Sequence, residues 1–169
     1  MFRAIAAILV SAAIACGAGM AGESRELPNP LENAKAGQWV QVRMQTMFGP
    51  MEQKQTVLGV QGEGDERVVT LKAEYIDDGE VVDSKEDSIS INMAREEQNE
   101  VLRNAAEVEY TDVKVDLKGE SVDATRVTFT QEGERYTLYL CDRVPVVGMI
   151  RLEVEGMEEP GLMVVDFGE

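Results

Sequence analysis

Between residues 39 and 167 the chain repeats one pattern, an alternating segment of six to eleven residues followed by a link of only a few residues. Val40, Val42, Met44 and Phe48 alternate with Gln41, Arg43 and Gln45, the period of a half-buried strand. The segments expected as strands are 39–48, 52–60, 67–76, 81–91, 109–117, 121–130, 135–141, 148–154 and 162–167. Gly49-Pro50, Asp78-Gly79, Lys118-Gly119, Glu132-Gly133 and Pro160-Gly161 punctuate them. Asp78-Gly79 is the strongest hairpin signal, because a tight primed turn needs positive φ and Asp-Gly adopts it at low cost. Parallel pairs need a crossover of a dozen residues or more, so links this short imply antiparallel neighbours.

Alternation also assigns faces. In segment 52–60, Thr56, Leu58 and Val60 are expected to point together, and in segment 67–76, Val69, Leu71, Ala73 and Tyr75. Segment 81–91 is polar and reads as an exposed or edge strand. One stretch breaks the period of two. Asn92 has the chemistry of a helix N-cap, and Met93, Glu97, Val101 and Ala105 follow at helical spacing, with Ala94 and Leu102 beside them. The expected fold is mainly β: a single curved antiparallel sheet, half-barrel-like, with one covering helix over 93–105. Val42, Met44, Val69, Leu71, Val127, Phe129, Leu138, Leu140 and Ile150 should line its concave face, with Met93, Val101 and Leu102 opposite. Val42, Met44, Leu71, Met93, Leu102, Phe129, Leu138 and Leu140 are the candidates for lining a ligand cavity there. Methionine is flexible and polarizable, so it suits both an ordinary core and a cavity that must adapt to varied apolar ligands.

Ahead of the strands, Arg3 precedes an apolar run of small residues from Ala4 to Ala15, the pattern of a secretory signal peptide. The run is shorter than the roughly 20 residues needed to span a bilayer. Two processing sites compete. Ala13-Ile14-Ala15-Cys16 resembles a bacterial lipobox, with Ala13 where leucine is usual, and would make Cys16 the lipidated N-terminus. Gly19-Met20-Ala21 suits ordinary signal peptidase, which would remove 1–21. The first is preferred, giving a signal over 1–15, a flexible tether over 16–30 and one β-rich domain over 31–169. The expected location is outside the cytoplasm, periplasmic or anchored to a membrane, the outer membrane favoured, through the N-terminal lipid. Cys141 is then left without a disulfide partner.

Charge narrows the partners. The chain has 16 basic and 32 acidic residues, a net charge of −16, and loses one positive charge with Arg3. Nucleic acid is excluded, since its binding requires Lys and Arg on phosphate, and anionic lipid head groups would repel the domain. The sequence contains no histidine, which removes the usual general base near neutral pH, the usual zinc ligand and any histidine-activated nucleophile. No phosphate-cradling glycine motif or paired-cysteine metal motif occurs, and no cofactor is expected. Cys141 reads as a structural thiol at the end of an alternating strand, sharing a face with Thr137 and Tyr139.

Two further segments stand out. Asn29-Pro30-Leu31 leads to Gly37-Gln38-Trp39-Val40 near the start of the domain, and Val144-Pro145-Val146-Val147-Gly148 lies near its end. The combination resembles a group of uncharacterised exported bacterial proteins and lipoproteins, which implies no activity and no catalytic residues. The expected architecture is, more loosely, similar to the LolA/LppX half-barrels of lipoprotein and lipid carriers, although the long helices of that fold are scarce here. The expected function is therefore non-enzymatic: a cell-envelope protein binding an apolar ligand, such as a lipid, or an envelope partner protein. The alternatives are an interaction module without a small-molecule site, and an enzyme using carboxylates. A carrier predicts accessible apolar side chains on the concave face; an interaction module predicts a covered face with an exposed patch or open edge; an enzyme predicts converging, pKa-shifted carboxylates.

Overall fold

The computed structural model describes residues 29–94 and 105–169. The segment expected to be a signal peptide, Cys16 and most of the expected tether lie outside these residues, as do Val101 and Leu102. Nine strands are present: β1 Trp39–Thr46, β2 Gly49–Gln61, β3 Val68–Asp77, β4 Glu80–Ser90, β5 Ala106–Leu117, β6 Glu120–Gln131, β7 Glu134–Leu140, β8 Met149–Val154 and β9 Leu162–Gly168. They form one antiparallel sheet in the order β4-β3-β2-β1-β9-β8-β7-β6-β5. Two meanders, β1 to β4 and β5 to β9, are thus joined where the first strand pairs with the last, and the edges are β4 and β5. The sheet is curved and does not close into a barrel. Register shifts at Gln41/Val42, Val57/Gly59, Tyr75/Ile76 and Tyr139/Leu140 supply the bending, because an extra residue in one strand kinks it and increases its twist.

Three of the hairpins use the same turn. Asp78 and Gly79, Lys118 and Gly119, and Glu132 and Gly133 all have positive φ in both central positions, the geometry that matches the twist of the flanking strands. The β1–β2 turn falls at Met47 and Phe48, two residues before the Gly49-Pro50 break expected from sequence. Thr46 fixes it: its hydroxyl donates to the Gly49 carbonyl at 2.7 Å and accepts from the Phe48 N–H at 3.1 Å. Phe48 consequently leaves the strand and its inner face.

The inner face follows from register. Val127, Leu138, Leu152, Leu162, Met44 and Met51 form one cross-strand row, with Val42 and Val40 further along β1. β2 contributes the parity opposite to expectation: Gln53, Gln55 and Val57 are buried, whereas Leu58 is exposed. Pairing decides this, because Val42 faces Gln53 and Val40 faces Gln55, which carries both glutamines inward. The Gln55 amide donates to Gln53 Oε1 at 2.7 Å, so their burial is compensated by hydrogen bonding.

Burial changes face along β6, from Val122 and Ala124 near its start to Val127 and Phe129 near its end. Beyond Leu71, β3 and β4 continue past the core as an arm, with residues 80–88 of β4 all exposed.

The helical turn that follows β4 begins at 91, earlier than expected. Ser90 rather than Asn92 is its cap, the Ser90 hydroxyl accepting the Met93 N–H at 3.2 Å. This phase buries Ile91 and Ala94 and leaves Met93 52 % exposed, so Met93 does not face the core. The rest of the expected helix, 95–104, lies outside the described residues.

Asn29 and Pro30, placed in the tether by sequence, are packed into the domain. Asn29 caps the 3-10 turn Pro30–Asn33, its Oδ1 accepting the Leu31 N–H at 3.0 Å, and its Nδ2 is buried without a hydrogen-bond partner. Pro30 lies on Gly148 so closely that a Cβ there would stand 3.0 Å from the Pro30 ring. The segments around Asn29-Pro30 and Val144–Gly148, singled out in the sequence, therefore meet. Between them, Val146 (φ 67°) sits at the centre of a tight turn closed by the Val147 N–H and the Pro145 carbonyl at 2.7 Å. A β-branched residue is strained there, and the surrounding burial of Val144, Val146 and Val147 holds it in place.

Candidate interaction site at one end of the sheet

Five of the eight residues expected to line a cavity are brought together, and those five are covered. Register places Val42, Met44, Leu71, Phe129 and Leu138 on the inner face, each at most 6 % exposed. An apolar wall lining an open cleft, or a void large enough for water, keeps accessible surface; these side chains keep almost none. Leu140, the last residue of β7, is only half-buried. Cys141 lies past the strand end, its N–H donating to the Gly148 carbonyl at 2.9 Å, and is 5 % exposed rather than on the face of Thr137 and Tyr139. Burial raises the Cys141 thiol above its usual pKa, which lowers the fraction of reactive thiolate. The outer face of the central strands mixes paired polar groups with the exposed Leu58 and Met163. Arg43 binds Glu52 at 2.6 Å, and hydrogen bonds from Arg43 and then Gln41 hold the Glu52 carboxyl below its usual range. Next along that face, the Arg151 guanidinium lies 4.2 Å from the Tyr139 ring centroid.

The two ends of the sheet differ more than its two faces. At one end stand segment 29–38, the β5–β6 turn and loop 141–148. Here carboxylates meet cations: Arg143 binds Glu120 at 2.9 Å, and Lys118 binds Asp166 while lying 4.1 Å from the Phe167 ring centroid. Arg67 reaches across to the Ala34 carbonyl.

The opposite end carries the β1–β2 turn, the β3–β4 turn, the β6–β7 turn and the β8–β9 loop. Phe48 is 90 % exposed and Met47 71 %, on a turn that the Thr46 hydrogen bonds hold in one conformation. The β8–β9 loop is fastened to the same hairpin. The Gln45 N–H donates to the Gly161 carbonyl at 3.0 Å, and the Gln45 amide donates to Glu159. That loop adds the exposed Met157 and, with Arg135, Thr137 and Glu153, walls a shallow cleft of about 390 Å³.

Carboxylates stand on the other connections at this end, Asp77, Asp78 and Glu80 on one turn, Glu132 and Glu134 on another, and Glu155, Glu158 and Glu159 on the loop fastened to the hairpin, all exposed. Glu159 takes an amide and Glu134 takes the Tyr136 hydroxyl at 2.8 Å, while the cations at this end, Arg135 and Arg151, pair with Glu109 at 4.0 Å and Glu153 at 2.9 Å. Their negative charge is not cancelled by these donors. The arrangement offers an apolar tip at an acidic end of the sheet, and among the described residues no group of side chains is arranged to hold a metal ion.

Sequence reasoning missed this site. It assigned Phe48 to the inner face by alternation and read the acidic residues only as a bulk property. The dipeptide Met47-Phe48 immediately before Gly49-Pro50 was the available signal, an apolar pair next to the residues that end the strand. Comparison with family models, curated proteins and solved structures returned no match.

Proposed function

We propose that this chain is a non-enzymatic protein of the bacterial cell envelope, exported by its N-terminal signal, held by a lipid on Cys16, and that it binds a partner protein rather than a small apolar ligand. The observation that carries the choice is the covered inner face. The side chains that would touch an apolar ligand are in contact with protein, while large apolar side chains stand exposed at one end of the sheet. Exposed apolar groups rimmed by polar ones mark interaction surfaces. The non-enzymatic reading is supported by the lack of histidine, by the buried Cys141 thiol, and by carboxylates that stand in solvent instead of converging in a closed pocket.

The test is an apolar fluorescent probe, Nile red, added to the folded mature protein, with native mass spectrometry of the protein extracted from its own envelope. The expected result is no saturable probe binding and no co-purified lipid beyond the acyl chains on Cys16. Stoichiometric lipid, or saturable binding abolished by Leu71→Glu in a protein that remains folded, would establish an apolar-ligand carrier instead.

A further inference from the structure

We propose that Met47 and Phe48 insert into an apolar pocket of the partner protein, and that the rim of this pocket carries lysine and arginine side chains. This deepens the protein-binding reading above and rests on it.

The tip is preformed. Phe48 sits on a two-residue turn between two laddered strands, and Thr46 bonds both sides of that turn. A turn backbone bonded this way has little left to order on insertion, and an aromatic side chain presented on it is of the type that dominates protein interfaces. The partner's chemistry follows from charge. Glu155, Glu158 and Glu159 on the adjoining loop, with Asp78 on the neighbouring turn, leave a negative field around the tip. A rim of Lys and Arg complements that field and steers encounter, whereas an acidic surface is repelled.

The same field argues against two other occupants. A second copy of this chain would bring two like-charged ends together, and an anionic lipid surface would be repelled. Placement agrees. Asn29, where the N-terminal segment enters the domain, is at the opposite end of the sheet against Gly148, so the tip is at the end remote from that entry.

The experiment is photo-crosslinking in the intact envelope. Benzoylphenylalanine replaces Met47, or Leu58 on the exposed outer face of β2, in the full chain, and crosslinked peptides are identified by mass spectrometry. The expected result is a protein crosslink from position 47 to a peptide with Lys or Arg beside apolar residues. Its yield should fall by about fivefold or more with Phe48→Ser, and again with Glu158→Lys combined with Glu159→Lys, both in proteins whose circular dichroism is unchanged. A crosslink to lipid overturns the proposal, as does one insensitive to both variants, or one to a peptide without basic residues. Crosslinks to protein from position 58 but not from 47 overturn the tip while leaving the protein-binding reading intact. Crosslinks from neither position defeat both.

Discussion

Tyr136 shows how one residue links packing to pH. Its ring stacks on Phe129 with centroids 5.3 Å apart, and its hydroxyl donates to Glu134. Burial first, then the Glu134 carboxylate, push its pKa from 10.0 up to about 12. The unfolded chain therefore releases this proton at lower pH than the folded one. Below about pH 10 both states keep the proton and the group has no effect; from about 10 to about 12 ionisation favours the unfolded chain, so stability falls as pH rises. Tyr136→Phe should flatten that decline. Urea midpoints measured from pH 8 to 12 for both proteins check this, because the remaining tyrosines and lysines titrate in both. Parallel curves would contradict it. The buried pair Gln53 and Gln55 shows why single residues were harder to place. Composition marks them as surface residues, and only their cross-strand partners Val42 and Val40 reveal that they face inward.

At the scale of elements, the hairpins were the most legible feature. All nine strands lie where alternation placed them, because turn chemistry is local: an X-Gly pair that accepts positive φ stops a strand wherever the chain later packs. Gly79→Val tests this. A Cβ at Gly79 meets nothing within 4 Å, so the cost is backbone strain alone. At φ 82° that cost for a β-branched residue is about 1–2 kcal/mol, a fall in Tm of about 3–6 °C for a domain of this size. An unchanged midpoint would show that the β3–β4 arm does not share in cooperative unfolding. Legibility failed at ends and faces. The first turn moved to Met47-Phe48 because a threonine hydroxyl captured it, and the helix start moved to Ser90 because a serine two residues earlier reached the Met93 N–H. Both choices depend on side-chain hydrogen bonds, which periodicity does not register.

For the whole molecule, the pairing of β1 with β9 gives the sheet two dissimilar ends. The N-terminal segment enters at one end, and the other carries the exposed Met47 and Phe48 with the acidic β8–β9 loop. The proposed lipid anchor is tested directly. Cys16→Ser should shift the protein from the membrane fraction to the soluble fraction and abolish incorporation of labelled fatty acid, leaving the fold unchanged by circular dichroism. Wild-type protein that never incorporates the label would instead point to cleavage after Ala21. The sequence by itself determined the β class, the antiparallel connections, the positions of the X-Gly turns and the apolar parity of most strands, since each is set by residues within about ten positions of one another. Only the tertiary structure decided that the first strand pairs with the last, that Gln53 and Gln55 are buried, that Asn29-Pro30 meets Gly148, and that the exposed Phe48 shares its end of the sheet with the acidic β8–β9 loop. Those are contacts between residues far apart along the chain, and long-range register, not local preference, brings them together.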